Sequence, residues 1–182
     1  MNKYYTLVGS RETTDDGYSY LMAMAHKLGN AGWIGRSGGA DGADTALEEG
    51  VSWDGKITKD IEVYLPWEGF NGRSSANRGY INSSKLSNFA QAMSIAEQTH
   101  PAWDKCSRGA RALHSRNVYQ VLGLDLNTPS TFLLCWAIPT KTGVKGGTNT
   151  AVQLAKKHGA EVINIYGMSF EEALESISKY IN

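Results

Sequence analysis

Residues 33–44 read Trp33-Ile34-Gly35-Arg36-Ser37-Gly38-Gly39-Ala40-Asp41-Gly42-Ala43-Asp44. A short β-rich run, Trp33 to Arg36, breaks into a glycine-rich turn. The turn feeds a short helical segment over Thr45 to Glu49, which closes at Gly50. A strand that stops at glycines and restarts as a helix is one half of a βαβ unit. Upstream, Tyr4 to Val8 is β-rich and ends in Gly9-Ser10-Arg11. Tyr18, Leu21, Met22, Ala25 and Leu28 follow at helical spacing, with a stop at Gly29 to Gly32. Downstream, Ile61 to Leu65 is a third strand, ended by Pro66. Strand, helix, strand, helix, strand predicts a parallel sheet.

Beyond Pro66 the pattern changes and then resumes. Gly69 to Asn82 is rich in Gly, Ser and Asn and reads as a long loop. Two helical stretches follow, Ser84 to Gln98 and Pro101 to Leu122, with Pro101 in a first helical turn. Thr131 to Ile138 is a fourth strand, Lys141 to Thr150 a Gly-rich loop and Ala151 to His158 a helix. Glu161 to Ile165 is a fifth strand, and Phe170, Leu174, Ile177 and Ile181 stripe a closing helix. The expected fold is α/β: a Rossmann-like, doubly wound, mainly parallel five-stranded sheet. One domain, 1–182, carries a helical insertion at about 83–122, before the fourth strand. A ligand crevice is expected at the carboxyl ends of the strands, where strand order reverses.

Composition narrows the function classes. With 41% apolar residues over 182, the chain can bury a core, which excludes disordered and low-complexity classes. Lys+Arg and Asp+Glu both count 18, a balance unlike that of a strongly basic nucleic-acid binder. Cys106 and Cys135 are the two cysteines, too few for a disulfide framework or a four-cysteine zinc site. His26, His100, His114 and His158 show no ligand spacing with them, so no metal is expected. The apolar run Phe132 to Ile138 is far shorter than a bilayer span, and the N-terminus turns polar too early for a signal peptide. A cytoplasmic protein without membrane contact is the expectation.

Three predicted strand ends carry the chemistry: Gly9-Ser10-Arg11, residues 36–44, and the loop through Lys145-Gly146-Gly147-Thr148. Glycines let a backbone approach a ligand, and a turn feeding a helix offers free amides to an anion. Arg11, Arg36, Arg73 and Arg116 are candidate phosphate clamps, because a guanidinium holds phosphate with two parallel hydrogen bonds. Ser37, Gly38 and Gly39 join the expected cradle; Asp41 and Asp44 order the turn. Trp67 is a candidate for stacking a base. Neither a G-x-G-x-x-G dinucleotide turn nor a Walker ending is present, which disfavours a nicotinamide dehydrogenase or a P-loop ATPase. Residues 35–39 satisfy G-x-S-x-G, but no downstream Asp/His pair completes a serine hydrolase.

The segments GSR, SGGADGAD, LHSRN and CWAIPTKTGVKGGTNTAVQLAKKHGAEVINI together resemble the SLOG superfamily. That superfamily joins DprA, the LOG phosphoribohydrolases and small nucleotide-binding proteins. The nearest likeness is to short DprA-like or YspA-like members of phages and bacteria, and it covers nearly the whole chain. It implies a nucleotide or nucleotide-derived ligand, no required cofactor and a homo-oligomer. LOG-like cleavage of an N-glycosidic bond is the alternative, with Glu48 or Asp44 as the catalytic carboxylate. Gln153 stands where the LOG glutamate falls, and a Gln accepts no proton, which argues against that chemistry. DprA-like binding of single-stranded DNA is a second alternative, less favoured because the net charge is zero.

Overall fold

A computed structural model of the chain describes residues 3–182. In chain order the elements are β1 (Tyr4–Gly9), α1 (Asp15–Asn30), β2 (Ile34–Ser37), α2 (Ala43–Gly50), β3 (Ser52–Trp53), β4 (Lys56–Ile57), β5 (Ile61–Leu65) and β6 (Tyr80–Asn82). There follow α3 (Phe89–Thr99), α4 (Arg108–Leu122), β7 (Phe132–Trp136), α5 (Thr148–Lys157), β8 (Glu161–Asn164), α6 (Phe170–Ser176) and α7 (Ser178–Ile181). β3 and β4 form a small antiparallel hairpin outside the main sheet.

The main sheet runs β6-β5-β2-β1-β7-β8, and every pairing in it is parallel. The architecture is Rossmann-like, with helices on both faces. Six strands replace the expected five. The sixth, β6, lies inside the segment read as a loop and pairs with β5 from Val63–Tyr80 to Leu65–Asn82. The chain builds outward from β1 through β2, β5 and β6, then crosses to β7 and β8 on the other side. The order therefore reverses between β1 and β7.

Strand alternation sorts the core into two layers. Tyr5, Leu7, Phe132, Leu134 and Trp136 face α1, α2 and the C-terminal helices. Val8, Leu133, Cys135 and Ala137 face α4 and α5. The near-continuous apolar runs of β1 and β7 follow from burial on both faces. α4 is the crossover from β6 to β7, and it buries Val118, Tyr119, Val121 and Leu122 against the sheet. Tyr119 stacks on Tyr64 of β5, with ring centroids 5.5 Å apart.

Element ends differ where caps decide them. α1 starts under Thr14, whose side chain accepts from the Gly17 amide, and it runs through Gly29; the left-handed turn falls at Gly32. Pro101 opens no helix: α4 begins at Arg108 under Ser107, whose hydroxyl accepts from the Ala110 amide. The closing stripe is two helices, broken at Ile177, and a capping box of Ser169 and Glu172 starts the first. Among the described residues no helix is long and apolar enough to cross a membrane.

Gly9 sets the spacing at the reversal point. A Cβ there would lie 2.6 Å from both the Ala43 Cβ and the Trp136 carbonyl oxygen. Backbone on one side cannot yield, so Gly9→Ala is expected to cost about 1–3 kcal/mol of stability, read by urea denaturation.

Candidate functional site

A cavity of about 380 Å³ opens at the carboxyl ends of β1 and β7, within the size range of small-molecule sites. Val8 to Glu12 from the end of β1 form one wall. Ile138, Lys145 to Thr148 and Ala151 form a second, where the glycine loop enters α5. α4 supplies a third with Leu113, His114, Arg116, Asn117 and Gln120, and Ala40 and Asp44 close the β2 side.

Backbone and side-chain hydrogen bonds fix the first two walls. The Ser10 amide donates to the Trp136 carbonyl at 3.0 Å, tying the turn after β1 to the end of β7. The Ser10 carbonyl in turn accepts from the Thr13 hydroxyl at 2.6 Å. The α5 wall is braced by Asn149, which accepts from the Val144 amide at 3.2 Å, and by Gln153, which donates to the Thr142 carbonyl at 3.0 Å. Gln153 therefore holds the loop's shape. α5 starts with Gly147 at its N-cap, no side-chain cap and no acidic residue in the first turn. The Asn149 and Thr150 amides donate to the Gly146 and Gly147 carbonyls at 3.1 and 3.3 Å, and the helix start carries the positive end of the dipole.

Arg116 dominates the electrostatics. The side chain is buried, and Nη1 donates to the Gly38 carbonyl in a short contact and to the Tyr64 carbonyl at 3.4 Å. Nη2 has no protein acceptor, and no carboxylate lies within ion-pair distance, among the described residues. Burial lowers its pKa to about 10, partly offset by Asp44, so it stays charged at neutral pH. Asp44 is also buried; desolvation raises its carboxyl to about 6, against the pull of Arg116 and the Ala40 amide, which donates to it at 3.2 Å. Gln120 is 1% exposed, and both polar atoms of its amide lack a partner. Arg11 and Lys145 stand exposed on the rim, as does Glu12.

The structure brings Gly9, Ser10, Arg11, Asp44, Arg116, Gly146, Gly147 and Thr148 to this one cavity. It does not bring Arg36 there. That side chain is 2% exposed on the α4 side of β2; Nε donates to Glu62 at 2.8 Å, Nη1 donates to the Thr128 carbonyl at 2.6 Å, and the guanidinium lies 3.8 Å from the Tyr4 ring centroid. Glu48 is held away as well. Arg73 Nε meets both its oxygens at 2.9 Å, and the Tyr80 hydroxyl donates to it at 2.6 Å. The carboxylate thus pins α2 to Arg73 and to Tyr80 of β6, and of the two carboxylates Glu48 and Asp44 only Asp44 lines the cavity. Ser37 and Gly39 are buried outside the cavity wall, and Asp41 is exposed. Gly38 is a packing requirement: a Cβ would sit 2.0 Å from both Arg116 Nη1 and Gln120 Nε2. Trp67 packs edge-on against Phe70, with centroids 5.2 Å apart, and lines no part of the cavity.

Two sets of residues escape a linear reading. Gln120 lies on α4 one turn beyond Arg116, an i,i+4 spacing that only a cavity-facing helix makes meaningful. His100, Cys106 and His114 also meet, with donor atoms all within 4.8 Å of one another. Their spacing, H-x5-C-x7-H, spans a loop and a helix, so no short motif announces it. Burial and the neighbouring His100 lower the His114 pKa to about 4.

No protein-family model matches this chain, and no curated protein does. Among solved structures, DNA processing protein A from Helicobacter pylori, described for its single-stranded DNA binding mode, is similar over 98% of this chain and 81% of that one. The identity is 16% and the TM-score 0.43.

The two arginines make opposite predictions. Arg36→Met leaves Glu62 with the Tyr64 hydroxyl alone and the Thr128 carbonyl without its donor, and is expected to cost about 1–3 kcal/mol in urea denaturation. Arg11→Ala, on an exposed turn, is expected to stay within about 0.5 kcal/mol of the parent.

Proposed function

We propose that the cavity between β1 and β7 binds a nucleotide or nucleotide-derived anion, with its phosphate on Arg116, the α5 N-terminus and the rim cations Arg11 and Lys145. The observation that carries this reading is the pair Arg116 and Gln120: a buried cation with an unused Nη2 and a buried amide with no partner line the same opening. Buried polar groups without partners are rare in folded proteins, and a ligand with acceptors and donors satisfies both. The place agrees, since ligands of open α/β sheets bind where strand order reverses. The cavity and SGGADGAD turn also suit the resemblance to SLOG proteins.

A groove lined by Tyr20, Trp136 and Tyr166 meets the cavity at Ile138 and supplies aromatic faces for a base. In this reading the protein is a binding module that senses or sequesters its ligand. One observation favours a second reading, cleavage of an N-glycosidic bond: Asp44 is a cavity carboxyl with a pKa near 6, suited to proton transfer close to neutral pH.

Calorimetry with a panel of mono- and dinucleotides and a short single-stranded oligonucleotide tests the proposal. One nucleotide class is expected to bind, and Arg116→Lys to weaken it at least tenfold by losing the planar fork. Lys145→Ala, on the exposed rim, is expected to weaken it less and to leave stability unchanged. Ionised Asp44 repels an anion, so affinity rises as pH falls through about 6. Asp44→Asn is therefore expected to bind more tightly than the parent near neutral pH, an advantage that disappears below about pH 5. Comparing parent with variant cancels the ligand's own titration. Release of free base by the parent, abolished by Asp44→Asn, establishes the second reading instead.

A further inference from the structure

Beside the cavity, the loop from α3 to α4 carries a group of side chains that the proposed function does not use. His100 follows the end of α3, Cys106 precedes the Ser107 cap of α4, and His114 lies in the second turn of α4. All three are half-buried, close enough to be shielded from bulk water yet reachable by a solute. The two imidazole centroids are 4.2 Å apart, and Cys106 Sγ lies 3.9 Å from His100 Nδ1. A tetrahedral zinc, with bonds of about 2.3 Å to sulfur and 2.0 Å to nitrogen, separates two such donors by about 3.6 Å. The cluster is therefore within a few tenths of an ångström of metal-binding geometry across its sulfur–nitrogen edge.

The surroundings orient the donors. Thr150 Oγ1 lies 3.1 Å from His114 Nδ1 and fixes that ring from α5, which leaves Nε2 as the free ligand atom. The Ala102 amide donates to His100 Nδ1 at 3.1 Å, which shows that nitrogen unprotonated; a metal at Nδ1 takes the place of that one hydrogen bond. The Cys106 Sγ lies 3.6 Å from the Ala102 carbonyl, a weak contact that a metal bond readily replaces. No acidic side chain belongs to the group; the donors are one sulfur and two imidazoles, a set that selects zinc over magnesium or calcium.

We propose that His100, Cys106 and His114 form a zinc site in which Cys106 binds as thiolate, its proton passing to solvent, and a water fills the fourth position. The metal staples the α3–α4 loop to the wall that carries Arg116. The inference is independent of what occupies the neighbouring cavity.

Cobalt and zinc titrations of chelator-treated full-length protein, without nucleotide, test it. One equivalent of Co²⁺ is expected to give tetrahedral visible bands and a thiolate-to-metal charge-transfer band, both removed by one equivalent of Zn²⁺. Cys106→Ser is expected to abolish the charge-transfer band, and Thr150→Val to weaken zinc binding roughly 10–100-fold. In the parent protein, Zn²⁺ is expected to slow alkylation of Cys106 at least tenfold, while the fully buried Cys135 stays unreactive with or without metal. That labelling measurement needs no variant to fold. Absence of stoichiometric uptake, a cobalt spectrum unchanged by Cys106→Ser, or alkylation indifferent to zinc overturns the proposal.

Discussion

The Arg116 guanidinium, carried inward by α4, donates to the carbonyls of Gly38 and Tyr64 at the ends of β2 and β5. Much of the molecule is arranged around that contact. It requires a glycine at 38, because any Cβ would occupy the space of the guanidinium and of Gln120. It requires α4 to lie across the sheet, held by the Tyr64–Tyr119 stack and the buried Val118, Val121 and Leu122. It leaves a desolvated charge whose nearest relief is the partial field of Asp44 rather than an ion pair. A fold that only needed to close its core would fill this place with an apolar side chain, since isolated buried charge is costly.

Other charged groups contrast with it and show how the chain separates structure from site. Arg36 and Glu48 are each paired with an opposite charge, Arg36 with Glu62 beneath the Leu122–Ser130 turn and Glu48 with Arg73 across from α2. Their charges are spent on holding elements together. Arg116 and Gln120 keep bonding capacity in reserve, and both do so beside the same opening. His114 belongs to the wall of that opening and to the His–Cys–His group, so the two features share one helix face.

The sheet was legible because strands buried on both faces read as apolar runs bounded by glycine or proline: Tyr4 to Val8, Ile61 to Leu65 and the run through Phe132 to Trp136. β6 was not, since Tyr80-Ile81-Asn82 is three residues long, half-buried and at the sheet edge, where pairing with β5 makes a strand that local composition does not. Pro101 misled in the opposite sense: a proline tolerated in a first helical turn is also at home in a plain loop, and the Ser107 hydroxyl set the true start. At the site, Ser10-Arg11 and Gly146 to Thr148 were readable because they end strands one and four of the pattern. Arg36 sits at a strand end too, but its side points to the α4 layer, and residue type alone does not tell which face a side chain takes. Arg116, Gln120 and the three metal donors come together only through the path of α4.

In the proposed function the reserved bonding capacity of Arg116 and Gln120 meets a phosphorylated ligand. The most direct measurement follows the Arg116 Nε–H and the Gln120 side-chain amide signals by nuclear magnetic resonance as nucleotides are added. Both signals are expected to shift together and to saturate with a single nucleotide class. Signals that stay fixed at millimolar concentrations of every class, in a protein that remains folded, contradict it.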